Sequence, residues 1–250
     1  MDEFSISLMR LPQDDAAQNI LRLRAMAESI AEVPDVMLLP ERWAGRAEEA
    51  ETAAALDALS EICSGMGCFA VSGGMPWNDG TERVLRSWVI DDRGCRIFRS
   101  DRPHLAGEGP RACSPADWRA IFSIGEVTAA TLSGYDLMFP EYCRQLSLAG
   151  ARVFLVSAAW PAEFDYSLDF VVKNCAFVNQ SYVAVSSLAD AHGRFGGESM
   201  AVSPWGKTIT PEARGEGVTS VRFRLSEIEK CAEKIPLERD RRDDIYRMLS

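Results

Sequence analysis

Leu132-Ser133-Gly134-Tyr135-Asp136-Leu137-Met138-Phe139-Pro140-Glu141, followed by Ser157-Ala158-Ala159-Trp160-Pro161, is the stretch on which the reading of this chain turns. The apolar run over 127–132 reads as a buried strand, and a helical pattern occupies 139–149. Gly134 stands between them, where an elbow-like turn strains the backbone and glycine meets that strain at least cost. Asp136 and Glu141 read as anchors for the turn and for the helix behind it. A second apolar strand, 153–156, then delivers the chain to Ser157 and Trp160. A strand, a turn, a helix and a further strand describe one unit of an α/β protein.

The same rhythm extends outward from this unit. Residues 4–9 alternate as a strand with Ile6 and Leu8 on one face. Ile20, Leu23, Met26, Ala27 and Ile30 then recur at helical spacing. The run 36–39 is continuously apolar and stops at Pro40-Glu41, as a strand buried on both faces does. A helix over 47–64 is ended by Gly65-Met66-Gly67, and a short strand over 68–71 leads into Ser72-Gly73-Gly74. Asp91-Asp92-Arg93-Gly94 joins two strands, 84–90 and 95–98, as a hairpin. Later elements are a strand pair 120–124 and 127–132, a helix 165–179, a strand 182–186 and a hairpin over 196–207. A strand 218–223, a helix 226–234 and a polar tail 236–250 complete the pattern. Strands alternating with helices, with hairpins among them, predict a mixed sheet, and no linker or repeat divides residues 1–250 into more than one domain.

Composition narrows the function. The formal net charge of −10 opposes a general nucleic-acid partner, which needs a basic footprint, and an anionic membrane surface. No apolar run approaches the roughly 20 residues of a membrane span, and the acidic start Met1-Asp2-Glu3-Phe4 lacks the basic region of a signal peptide. Seven scattered cysteines fit a reducing, cytoplasmic compartment. Two histidines, His104 and His192, leave little from which to build a zinc site. No metal and no cofactor are expected.

The quoted motifs resemble the nitrilase, or carbon–nitrogen hydrolase, superfamily, and its omega-amidase-like members in particular. The resemblance runs in order along nearly the whole chain. It takes in Asp35-Val36-Met37-Leu38-Leu39-Pro40-Glu41, Arg102-Pro103-His104-Leu105, Glu108, the elbow at Gly134-Tyr135-Asp136, Ala158-Ala159-Trp160-Pro161, and Gly196-Gly197-Glu198-Ser199 with Pro204-Trp205-Gly206. The segment Asp240-Arg241-Arg242-Asp243-Asp244-Ile245-Tyr246 resembles the family's closing stretch. The resemblance implies a four-layer α–β–β–α sandwich with mixed sheets, and oligomers of identical subunits. It also makes 159–161 and the tail 236–250 candidate interface elements.

The family's reaction uses a thiolate that attacks a nitrile or amide carbon, a glutamate that takes the thiol proton and later activates water, and a lysine that steadies the oxyanion. By resemblance Glu41 stands at the glutamate, Arg102 at the lysine and Gly134 at the cysteine. Glu108 stands at a second glutamate found in many members. Two of the three reacting groups therefore differ, and a glycine carries no nucleophile. Ser133 lies one residue away and is expected to point to the opposite face. Cys143 and Cys175 read as small core residues. Arg102 is expected to reach Glu41 and to fill the space beside Gly134, since a buried carboxylate requires a cation and guanidinium grips carboxylates well. Tyr135, Trp160 and His104 are candidate residues for binding a small amide or carboxylate ligand. Two functions follow from the resemblance: a ligand- or partner-binding protein without cysteine-dependent hydrolysis, or a hydrolase of small linear amides using Glu41-activated water with Arg102 at the oxyanion.

Overall fold

The computed structural model describes residues 2–45, 49–78, 80, 83–104, 120–189 and 193–247. Its strands are β1 (Glu3–Arg10), β2 (Val36–Leu38), β3 (Phe69–Val71), β4 (Met75–Asn78), β5 (Arg83–Ile90), β6 (Arg96–Asp101), β7 (Ile121–Ile124), β8 (Val127–Ser133), β9 (Val153–Ala158), β10 (Tyr182–Ser187), β11 (Met200–Val202) and β12 (Gly217–Arg224). The helices are α1 (Ala16–Glu28), α2 (Glu49–Met66), α3 (Pro140–Leu148), α4 (Asp165–Asn179), α5 (Ser226–Lys234) and α6 (Asp243–Arg247).

These strands form two mixed sheets. The first runs β12-β1-β2-β3-β5-β4, with β6 also paired to β5, and the second runs β11-β10-β9-β8-β7. In each, a parallel centre is flanked by antiparallel strands: β1, β2 and β3 in the first, β8, β9 and β10 in the second.

Period-two alternation sorts the side chains of the central strands into layers. Val36 and Leu38 of β2 meet Val153 and Leu155 of β9, and Val127 and Ala129 of β8, in a cluster between the sheets. Met37 and Leu39 face the other way and pack with Leu23 of α1 and Leu56 and Leu59 of α2. Phe154 and Val156 of β9, with Ala130 and Leu132 of β8, pack against Leu146 of α3 and Leu168 and Val172 of α4. Three apolar layers separated by two sheets make the expected α–β–β–α sandwich. Fully burying a leucine or valine contributes about 1.5–3 kcal/mol, so these layers supply the main favourable term.

Three details depart from the sequence pattern. Residues 75–78 form β4 at a sheet edge, where the missing N–H of Pro76 costs no interior ladder bond. The hairpin over 196–207 contributes a strand only at β11. Beyond it lie a turn closed by Ser203 and Lys207 and a single bridge from Val202 to Thr208. The polar tail contains a helical turn, α6, opened by Asp243 and Asp244, whose charges suit a helix N-terminus.

Candidate active site

Glu41 follows the end of β2 and is held there by the opposite sheet. The Ser157 hydroxyl of β9 donates to the Leu39 carbonyl at 2.7 Å, and the Glu41 amide donates to the Ala158 carbonyl at 3.4 Å. The chain then turns sharply: Arg42 adopts φ 56° and donates its amide to the Gly74 carbonyl at 2.9 Å. This turn forces a glycine at 73, where φ is 72° and a Cβ would lie 2.1 Å from the Pro40 carbonyl oxygen. The Glu41 carboxylate ends up buried, at 4% exposure.

Arg102 stands one residue past β6, its amide bonded to the Leu85 carbonyl at 2.9 Å. The preceding residue fixes its origin. Asp101 accepts from Arg86 through two bonds, Nε to Oδ1 at 2.6 Å and Nη2 to Oδ2 at 2.7 Å, with both side chains buried. This fork-to-fork geometry is the strong form of the ion pair. From that base the Arg102 Nη1 donates to Glu41 Oε1 at 2.9 Å, and its guanidinium lies 5.4 Å from the centre of the Tyr135 ring. The expected Arg102–Glu41 contact is present.

The other carboxylate oxygen takes a partner that the sequence pattern assigned elsewhere. Ser133 Oγ donates to Glu41 Oε2 at 2.9 Å. The expectation that Ser133 points away from the site is thus overturned, and alternation explains why. Val127 and Ala129 face the gap between the sheets, so Thr131 and Ser133, further along the same parity, face it too.

Gly134 begins a 3-10 turn over Gly134–Met138 and faces the helices. A Cβ built on it would lie 3.0 Å from Ala158 Cβ, 3.3 Å from Ala158 Cα and 3.4 Å from Trp160 Cε3. Ala158 and Trp160 both belong to the helix-side layer. The space beside Gly134 is therefore closed by these two residues, whereas Arg102 sits on the Glu41 side.

Asp136 anchors the elbow as expected. One oxygen accepts the Ser133 amide at 2.8 Å and the other meets His104 Nδ1 at 2.9 Å. His104 in turn stacks on Phe139, with ring centres 3.7 Å apart. His104 is thus a brace between the Arg102 segment and the elbow. Trp160 is buried and donates Nε1 to the Phe164 carbonyl at 2.9 Å, so this candidate interface residue is spent inside its own chain. Glu108 lies outside the described residues. Cys143 and Cys175 sit in the helix-side layer. The Cys143 thiol is pushed up by its hydrogen bond with Cys175 and by burial, which keeps it protonated and a poor nucleophile.

Between these groups lies a cavity of about 20 Å³, lined by Glu41, Ser87, Asp101, Arg102, Thr131 and Ser133 among others. That is room for about one water. Among the described residues the buried Ser87 hydroxyl finds no hydrogen-bond partner. Tyr135, Trp160 and His104 do not line this cavity; they support its walls. Ser87, Asp101 and Thr131 were missed by the sequence reading. Their one signal is the presence of polar residues at buried strand positions next to Arg102 and before Gly134.

The α–β–β–α sandwich, with Glu41 past the end of β2 and the Gly134 elbow past the end of β8 on the facing sheet, is a nitrilase-type fold. The carbon-nitrogen hydrolase family model matches residues 5–233, and the chain belongs to that family. It is 25% identical over 243 residues to a 2-oxoglutaramate amidase of Bacillus subtilis, covering 92% of this chain and 93% of that protein. It is 25% identical over 205 residues to an omega-amidase of Xenopus tropicalis, covering 75% of this chain and 73% of the relative. Among solved structures, a carbon-nitrogen hydrolase of Helicobacter pylori superposes with a TM-score of 0.87 at 14% identity, covering 99% and 98% of the two chains. These comparisons agree with the omega-amidase-like resemblance. No helix among the described residues is long and apolar enough to cross a membrane.

Proposed function

We propose that this protein binds a small amide or carboxylate in the carbon–nitrogen hydrolase pocket without hydrolysing amides through a thiol. One observation carries the proposal: the elbow position is Gly134, whose open side is filled by Ala158 and Trp160. No sulfur is present there, and even a Cβ would press on Ala158 at 3.0 Å. Glu41 and Arg102 persist as a closed pair over a cavity of about 20 Å³. A ligand larger than water must therefore part them. A carboxylate does this by exchanging one charge-assisted bond to the guanidinium for another. The alternative, hydrolysis by Glu41-activated water, is less well supported. The Oε2 contact that an attacking water would use on Glu41 is already taken by the Ser133 hydroxyl, and Oε1 by Arg102.

The test uses 2-oxoglutaramate, the substrate in the name of the Bacillus subtilis relative, and its product-like dicarboxylate. Enzymatic ammonia detection is expected to find no turnover, while calorimetry finds saturable binding that Arg102→Ala abolishes. Steady ammonia release would reject the non-hydrolytic reading, and release lost in Glu41→Gln would establish the water mechanism in its place. Absence of binding by either compound would reject the ligand class.

A further inference from the structure

We infer that Ser133 is an acyl-accepting nucleophile, and that the protein takes the acyl group of small activated esters onto its hydroxyl. The inference rests on the reading above, in which the thiol route is absent and the Glu41–Arg102 pair is intact. It adds a reactivity at a residue outside the three family positions.

Three features of Ser133 support it. Its Oγ donates to Glu41 Oε2 at 2.9 Å, the hydroxyl-to-base contact that activates a nucleophile. Its main chain is fixed, because its amide is held by Asp136 at 2.8 Å and β8 pairs with β9 up to Ser133 and Ser157. It also lines the same cavity as Arg102, which binds the opposite oxygen of the same carboxylate at 2.9 Å. Nucleophile, base and cation thus converge on one space. Gly134 has no comparable claim, since its open side faces the helix layer.

The step balances within these groups. The Ser133 proton passes to Glu41 as Oγ bonds to the ester carbonyl carbon. The carbonyl oxygen becomes an oxyanion beside the Arg102 guanidinium. Collapse re-forms the carbonyl and breaks the bond to the leaving oxygen, which either takes the proton back from Glu41 or departs as an aryloxide, in which case Glu41 gives its proton to solvent before the next step. The product is an O-acyl serine. Water can then attack this ester, giving its proton to Glu41, and release the acid and the free hydroxyl. Amides are expected to react far more slowly than activated esters, because an amine leaves only when protonated and a hydroxyl on a carboxylate base is a far weaker nucleophile than a thiolate. The cavity of about 20 Å³ holds about one water, so a small acyl group such as acetyl enters only as the Glu41–Arg102 contact parts, which also frees the guanidinium for the oxyanion.

The probe is p-nitrophenyl acetate, added to the folded protein in a Cys95→Ala background that removes the thiol exposed among the described residues. Acetylation is read by intact mass and peptide mapping. One acetyl group on Ser133 is expected, absent in Ser133→Ala and slowed at least about 100-fold in Glu41→Gln, the scale of a lost general base. Ser133→Cys gives a second reading that does not depend on losing a group: its thiol is expected to acylate faster than the wild-type hydroxyl. Circular dichroism checks that each variant folds. No acetyl at Ser133 in the wild type, or acetylation indifferent to Glu41→Gln, overturns the inference. Ammonia release from 2-oxoglutaramate, measured on the same preparation, bears only on the proposed function, so the two failures are separable.

Discussion

Replacing Gly134 by cysteine returns the family's sulfur to the family's position, and the structure predicts that it will not return amide hydrolysis. The new Cβ meets Ala158 Cβ at 3.0 Å, Ala158 Cα at 3.3 Å and Trp160 Cε3 at 3.4 Å. Ala158 cannot yield easily, because it pairs with Ser187 in the second sheet and its carbonyl receives the Glu41 and Leu188 amides. Trp160 is tied to the Phe164 carbonyl. Overpacking of this kind costs about 1–3 kcal/mol. Restricting the unfolded chain by removing a glycine returns about 0.4–1 kcal/mol. The net is a loss of roughly 0–2.5 kcal/mol, a fall in Tm of up to about 10 °C for a chain of this size. Gly134→Ala isolates the Cβ contribution and is expected to show the same loss. The sulfur itself starts from the helix-side face, with Glu41 already engaged by Arg102 and Ser133. Differential scanning calorimetry and ammonia release from 2-oxoglutaramate are the assays. A Gly134→Cys protein that turns over the amide, or a Gly134→Ala protein that melts higher than wild type, would refute the reasoning.

Two further outcomes follow from other parts of the fold. Asp101→Ala leaves the Arg86 guanidinium buried without its fork partner, and urea denaturation is expected to show a loss of about 3–5 kcal/mol; a change under 1 kcal/mol would assign little weight to the pair. Among the described cysteines, Cys95 is exposed while Cys63, Cys68, Cys143, Cys175 and Cys231 are buried, and burial also raises the Cys231 thiol. Iodoacetamide at neutral pH is therefore expected to alkylate Cys95 and spare those five, and mapping that found Cys143 modified in folded protein would contradict the packing of the elbow.

Much of this was legible in the sequence. The central strands announced themselves because residues such as 36–39 and 153–156 are apolar on both faces, and the helix over 165–179 because its pattern coincides with α4. The Arg102–Glu41 contact followed from a simple requirement, that a buried carboxylate needs a cation. What escaped the sequence was direction. Ser133 and Gly134 do lie on opposite faces, but which face belongs to the site depends on the second sheet lying over the first. No local pattern contains that information. The Arg86–Asp101 pair was missed for a similar reason: charged residues in a hairpin read as solvated until a second layer covers them. β4 was missed because Pro76 argues against a strand everywhere except at an edge.

The turn that presents Glu41 has a consequence for the order in which the molecule comes together. Its carboxylate draws Arg102 from 61 residues away and Ser133 from 92 residues away, and the neighbouring Leu39 carbonyl is fastened by Ser157 from 118 residues away. Contacts across such separations repay the entropy of closing their loops only after intervening elements have formed. The site is thus a late acquisition of the folding chain. Until the second sheet docks, Glu41 lacks its Ser133 partner and has only the cation that its own sheet supplies.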